Sequence, residues 1–380
     1  MFPSEFFRWF APRVLIVCAL LGAAELLFRA GAWEPLVKPE SNAGQAVRLK
    51  RAVEAFGADK INFVTLGDSR AVYGIEHRQV AATANAAGYN HSNLALAGMH
   101  WLSTMAAADW IIEQNPHIKG ILIATNITNF SYVGNGAYEL GIAAPFVRGW
   151  DIERFNQSVP FDRNDVGTYG VYSALFQYRD DIQNLFKEPI RRFKERAVYA
   201  GQGAAPLTFS VKVAANSCTV PLSSVQACAE YEPKSEDERT IVAQCKAQQP
   251  SAKGQLDWRD WATTGAPPHL ANVVSVRQRE LRRLAGGRKV MVVLMPVPKL
   301  WREQIAPKGV EEYVRAVLRP LADDGTIALH DFTHFFDETE NGECAAFWDL
   351  YHQNTLGQDR LTNALLPLIQ SDLYSKGSRK

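Results

Sequence analysis

The chain has 380 residues, 47% of them hydrophobic and 21% charged, which is enough apolar material for one large domain or two modest ones. Lys and Arg number 41 against 40 Asp and Glu, and the formal net charge of +1 leaves no cationic excess to neutralise phosphates. That excludes nucleic acid as the main partner, and the same balance excludes an acidic, disordered interaction protein.

The first predicted element is a membrane helix. Arg8 and Arg13 precede the apolar run Val14 to Ala24, Leu26 to Phe28 extend it, and Trp9 and Trp33 bracket it as interfacial aromatics. A span needs about 20 mostly apolar residues, and Phe10 to Ala30 supplies them while tolerating Arg13, Glu25 and Arg29 near the ends. We therefore expect an uncleaved anchor over residues 1–34. It is preferred to a signal peptide cleaved at Gly22-Ala23-Ala24, which would leave an unusually apolar new terminus, and to a plain buried helix. With the basic residues held in the cytoplasm, either an anchor or a signal peptide exports the rest of the chain. Residues 35–59 are expected to be tether and lead-in, with Glu34 to Gln45 a polar stretch containing Pro35 and Pro39.

Strands and helices then alternate. Ile61–Leu66, Ser92–Ala97 and Ile118–Ala124 are predicted strands, separated by helices over Gln79–Ala87 and Leu102–Glu113. From about 131 to 270 no period is sustained, and residues 131–285 are expected to form an insertion within a domain spanning 60–373. The alternation resumes with a helix over Val273–Leu284, a strand over Lys289–Met295, a helix over Glu311–Leu318, a strand over Thr326–Phe332 and a closing helix over Leu361–Leu373. Such a pattern predicts an α/β fold with a parallel sheet of about five strands, covered on both faces.

Cys18 lies inside the apolar segment. Cys218, Cys228, Cys245 and Cys344 are an even set compatible with two disulfides in an oxidising compartment, their pairing open, or with four free thiols. They lack the short paired intervals of a zinc site, and neither a metal nor a cofactor is expected.

In an open parallel sheet, ligands bind beyond the carboxyl ends of the strands, and the reactive residues cluster at those positions. Gly67-Asp68-Ser69 follows the first strand and presents a serine hydroxyl at a sharp turn. Gly98 ends the second strand run, and its backbone N–H can face a developing oxyanion together with that of Ser69. Asn126, just past the third strand, carries an amide for the same role, with Asn129 a nearby competitor. Asp349-Leu-Tyr-His352 precedes the last helix: a base to deprotonate Ser69, and a carboxylate to orient that base. Asp331-Phe-Thr-His334 repeats the spacing and makes His334 the reserve base. His77, His91 and His100 have no carboxylate at supportive spacing and are read as surface or packing residues.

On these residues the chain resembles the SGNH, or GDSL-type, hydrolase superfamily. Its serine, glycine, asparagine and Asp-x-x-His blocks look like Gly67-Asp68-Ser69, Gly98, Asn126 and Asp349 to His352, over about residues 60–130 and 288–373. One block departs from the pattern, reading Ala124-Thr125-Asn126-Ile127 where the family usually has Gly-x-Asn-Asp. The resemblance implies a doubly wound, flavodoxin-like sheet, catalytic Ser69, His352 and Asp349, and an oxyanion hole of Ser69, Gly98 and Asn126. An anchored domain of this type is similar in layout to bacterial proteins that acylate cell-wall or exported polysaccharides beside a multispanning membrane O-acyltransferase. The implied function is therefore O-acyl transfer, acetyl transfer above all, to a polysaccharide acceptor on the periplasmic or extracytoplasmic side of the inner membrane. An exported esterase or lipase is the alternative, and a non-catalytic partner protein that keeps the fold is the third reading. Trp150, Tyr169, Tyr172 and Tyr178 in the insertion are candidate surfaces for sugar rings, with ordinary core packing the preferred reading for each one singly.

Overall fold

A computed structural model describes residues 4–127, 136–147, 172–200, 206–253, 268–338 and 342–375. Five parallel strands form one open sheet in the order β2-β1-β3-β4-β5: β1 (Phe63–Gly67), β2 (His91–Asn93), β3 (Gly120–Thr125), β4 (Lys289–Leu294) and β5 (Ala328–Asp331). Helices, in chain order, are α1 (Ser4–Arg29), α2 (Asn42–Phe56), α3 (Ser69–Gly74), α4 (His77–Ala86), α5 (Trp101–Gln114), α6 (Gly136–Ala143), α7 (Ala174–Gln177), α8 (Arg179–Lys187), α9 (Pro189–Ala200), α10 (Val225–Glu230), α11 (Glu236–Lys253), α12 (Pro268–Ala285), α13 (Lys299–Gln304), α14 (Val310–Asp323) and α15 (Thr355–Ile369).

The central strands β1, β3 and β4 read as continuous apolar runs because both faces are buried, and the alternation of side chains sorts them into two cores. Val64, Leu66, Ile121, Ile123, Val290 and Val292 point to one face, packed with Trp110 of α5, Leu281 of α12 and Leu318 of α14. Phe63, Leu122, Ala124, Met291 and Val293 point to the other, against Ala71 of α3, Val80 of α4 and Leu361 of α15. β3 and β4 pair directly, from Gly120 with Lys289 to Thr125 with Leu294, so the whole intervening segment leaves and returns between two neighbouring strands.

Local differences from expectation have identifiable causes. β2 is shorter than Ser92–Ala97, although Leu94 and Leu96 still donate to Thr65 and Gly67 along β1. The last helix starts at Thr355 rather than Leu361 because Asn354 caps it, accepting from Gly357 N at 3.0 Å. The expected tether is folded: Ser41 caps α2, whose Ala46, Val47 and Val53 are buried in the core, and Lys50 is bonded to Glu34 and Pro145. The charges interleaved with that apolar face hid it. The stretch read as lacking a period contains helices α6 to α11; disulfide Cys228–Cys245 joins α10 to α11, and Cys218–Cys344 ties the stretch to the chain before α15.

Within α1, Phe10–Arg29 is long and apolar enough to cross a membrane, with a mean hydropathy of 1.9. Its length of about 30 Å matches a hydrocarbon core. Leu15, Ile16, Leu20 and Leu27 are exposed.

Candidate active site

The serine is positioned by the turn out of β1. A side chain at Gly67 would bring its Cβ within 2.2 Å of the Ala124 carbonyl oxygen, so glycine lets β1 and β3 pass this closely. Asp68 then caps α3, accepting from Arg70 N at 2.8 Å and pairing with the Arg70 guanidinium at 2.9 Å. Ser69 is therefore the first helical residue beyond the carboxyl end of β1, beside the crevice between β1 and β3 where the strand order reverses.

The loop before α15 meets it. His352 Nε2 lies 2.7 Å from Ser69 Oγ, and His352 Nδ1 lies 2.8 Å from Asp349 Oδ2. An ionised carboxylate only accepts, so Nδ1 carries the proton and Nε2 is left to accept from the serine hydroxyl. Asp349 Oδ1 also accepts from the backbone N–H groups of Tyr351 (2.8 Å) and His352 (2.7 Å), which closes the turn and fixes the carboxylate. Burial would raise the Asp349 carboxyl, but the bonds from His352, Gln244 and Tyr351 more than offset this and hold it below the usual carboxylate value. His352 is flanked by Tyr73, with ring centres 4.8 Å apart, and by Trp348, stacked at 5.7 Å and 17°. Close approaches fix the loop to the serine helix at Gly74 and to α15 at Gly357. A Cβ at Gly74 would sit 2.7 Å from Gln353 Oε1, and one at Gly357 would sit 2.2 Å from the Ala346 carbonyl oxygen. Gln358 Nε2 then donates across to Tyr73 O at 2.8 Å.

Gln244 was missed by the sequence reading. From α11 its Nε2 donates to Asp349 Oδ2 at 2.9 Å while its Oε1 accepts from Leu350 N at 3.1 Å, so one amide grips both sides of the acid loop. Its neighbour Cys245 ties α11 to α10, and Cys344, five residues before Asp349, ties the loop to Cys218. No local signal marks Gln244, because its partner is 105 residues away; only the adjacent cysteine hinted at a fixed position.

The candidate oxyanion donors differ in how they are held. No hydrogen bond among the described residues uses the backbone N–H of Ser69 or Gly98, and Gly98 adopts φ +77°, a conformation that favours glycine. The chain after it is braced by buried carboxylates: Leu102 N donates to Glu139 at 2.8 Å and Trp101 Nε1 to Glu280 at 2.7 Å. Asn126 is fully buried at the end of β3, and its amide donates to Asp68 Oδ2 at 3.3 Å. Asn129 lies outside the described residues.

The reserve pair does not form. Asp331 bonds Arg315 at 2.5 Å, while His334 is half exposed and bonds Asp337 (2.7 Å) and Glu311 (2.8 Å). His77 and His91 are packing residues, burial pushing their imidazoles down to about 4 and about 3, and His100 precedes α5 in a reciprocal bond with Ser103. Of the aromatic candidates, Trp150 and Tyr169 lie outside the described residues and Tyr172 is exposed. Tyr178 takes the packing reading and not the sugar-binding one: it is buried beside Phe28 of α1. Among the described residues no cluster of His, Cys, Asp or Glu is arranged to hold a metal. Comparison with protein-family models and with curated proteins finds no match.

Proposed function

We propose that the chain is a membrane-anchored O-acyltransferase of the SGNH type, which acylates a cell-wall or exported polysaccharide through an ester on Ser69. The observation that carries this reading is the hydrogen-bonded chain Ser69–His352–Asp349 at the carboxyl edge of a parallel sheet. The strand order 2-1-3-4-5 supports a doubly wound, flavodoxin-like arrangement with its site at the β1/β3 switch.

In the first half-reaction Ser69 Oγ attacks the donor's acyl carbonyl as His352 Nε2 takes the hydroxyl proton, and Asp349 stabilises the imidazolium. The backbone N–H groups of Ser69 and Gly98 and the amide of Asn126 receive the oxyanion. The tetrahedral intermediate collapses to the acyl-serine, and His352 returns the proton to the leaving group. In the second half-reaction His352 deprotonates an acceptor hydroxyl, which attacks the acyl carbon; the intermediate collapses to the new ester as His352 returns the proton to the departing Ser69 Oγ. Anchoring by α1 supports a surface-bound acceptor and a donor delivered by a multispanning membrane O-acyltransferase. The complete triad favours an enzyme over a non-catalytic partner protein.

A fluorophosphonate should label Ser69, with Ser69→Ala abolishing the label; labelling that survives the substitution removes the site. Given an activated acetyl ester, the protein should hydrolyse it slowly and divert acetyl groups onto an added oligosaccharide, read as a mass gain. Rapid hydrolysis with no acetylated sugar across a panel of bacterial polysaccharide fragments would make it an esterase or lipase, and absence of both labelling and turnover would leave the non-catalytic reading.

A further inference from the structure

Helices α8 and α9 reverse the ordinary surface pattern. Phe186, Ile190 and Phe193 follow one another at intervals of four and three residues, yet 80%, 71% and 55% of their surfaces are exposed. Arg192 is 1% exposed, donating to Leu36 O at 2.8 Å, Asp181 at 3.1 Å and Asn184 at 2.6 Å. Tyr199, partly exposed, bonds Glu40 and lies under Arg48. A surface helix normally points its apolar stripe at the core, and large apolar side chains left in water forgo the stabilisation that burial brings. A patch built this way marks a contact surface.

The level of that patch is set by the membrane helix. Glu25, in the last two turns of α1, accepts from Ser173 Oγ (2.9 Å), Ala174 N (2.8 Å) and Leu175 N (3.1 Å), which caps α7. Trp33, just beyond α1, donates to Asp181 of α8 at 2.9 Å and stacks on Phe28. The apolar stretch of α1 ends at Arg29, so α7 and α8 begin where a bilayer crossed by α1 would meet water. Lys and Arg outnumber Asp and Glu in residues 179–200; Arg191 is paired with Glu188 and Glu195, while Lys187 and Lys194 are exposed among the apolar side chains and suit anionic headgroups.

We propose that α8 and α9 lie in the interfacial zone of the same bilayer, with Phe186, Ile190 and Phe193 sunk among headgroups and upper acyl chains. The domain is then held at two places and cannot swing about α1 alone, which keeps the Ser69 site at a set attitude to the membrane. The inference rests on the membrane-anchor reading of α1 and is independent of the chemistry at Ser69.

The test uses the full-length chain in vesicles of phosphatidylethanolamine and phosphatidylglycerol, in a Cys18→Ala background. An environment-sensitive fluorophore is placed in turn at Leu20→Cys, Ile190→Cys, Phe193→Cys and Arg239→Cys. Nitroxide lipids labelled near the headgroup should quench positions 190 and 193 more than lipids labelled in mid-chain do, because an interfacial helix buries its apolar face by about 5–10 Å. Position 20 should show the reverse ranking, and position 239, on exposed Arg239 of α11, should show no quenching. If 190 and 193 behave like 239 while 20 is quenched, the surface assignment falls and the anchor stands. If 20 also reports water, both fall. An apolar signal at 190 and 193 without lipid quenching assigns the patch to a protein partner or a second copy and overturns the lipid assignment. Fluorophosphonate labelling of the same samples reports the Ser69 site separately.

Discussion

Two stretches of this chain carry Asp and His three residues apart, and they reach opposite ends. In the loop before α15 both oxygens of Asp349 are engaged: two backbone N–H groups on one, Gln244 and His352 on the other, and His352 reaches on to Ser69. After β5 the same spacing yields no pair. Arg315 takes Asp331, and Asp337 and Glu311 take His334. A three-residue interval permits a carboxylate to reach its imidazole, but competing partners decide whether it does. Asp349 is supplied with neutral donors that hold the carboxylate without drawing it away, whereas Asp331 faces a guanidinium on α14, a stronger partner for a carboxylate.

The largest test of this contrast is at the bases. His352→Ala and Ser69→Ala should each lower turnover of an activated acetyl ester by about 10⁴-fold or more, while His334→Ala leaves it within about twofold. A greater loss in the His334 variant would move the base to the second pair.

The disulfide that tethers the acid loop should matter next. Cys218 and Cys344 are 126 residues apart, and the chain-entropy model assigns such a closure about 5 kcal/mol, against about 3 kcal/mol for the separation of 17 between Cys228 and Cys245. Denaturant unfolding of Cys218→Ser/Cys344→Ser and Cys228→Ser/Cys245→Ser variants should rank in that order; equal losses would show that strain or residual structure outweighs loop length.

Gln244→Leu should come third. Removing a hydrogen bond to a buried charge costs about 1.5–3 kcal/mol, so kcat should fall roughly tenfold to a hundredfold with KM little changed. An unaltered kcat would reduce Gln244 to packing.

The smallest effect is a difference in pH dependence. Burial lowers the His334 imidazole, but Asp337 and Glu311 overcome this and leave its pKa above 6.5. Its folded pKa is thus raised, so its stabilisation is complete below the unfolded value and is lost as pH rises through the folded one. Half exposure and solvent screening keep it small. Asp349 has the opposite sign: its folded pKa is below 3.8, so its stabilisation is present above that value and is lost as pH falls. The stability gap between wild type and His334→Ala should therefore narrow as pH rises past neutrality; a gap that widens would contradict the pairing with Asp337 and Glu311.

Much of this arrangement was legible along the chain, and the boundary follows the range of the interactions. The three central strands were visible because burial on both faces forces unbroken apolar runs such as Ile121 to Ala124 and Val290 to Leu294, whereas polar β2 and partly exposed β5 were legible only through apolar residues beside them. Gly67, Ser69, Gly98 and Asp349 to His352 stood out because strand ends and helix starts impose local residue types. Helix α2 was hidden by charges between its buried alanines and valines, and the choice between packing and binding for Tyr178 was decided by α1 lying beside it. The pairing of four cysteines, the grip of Gln244 on Asp349, and the choice between two Asp-x-x-His stretches were decided only in the folded molecule. Each depends on side chains far apart in sequence competing for one partner, and periodicity and spacing report only on neighbours.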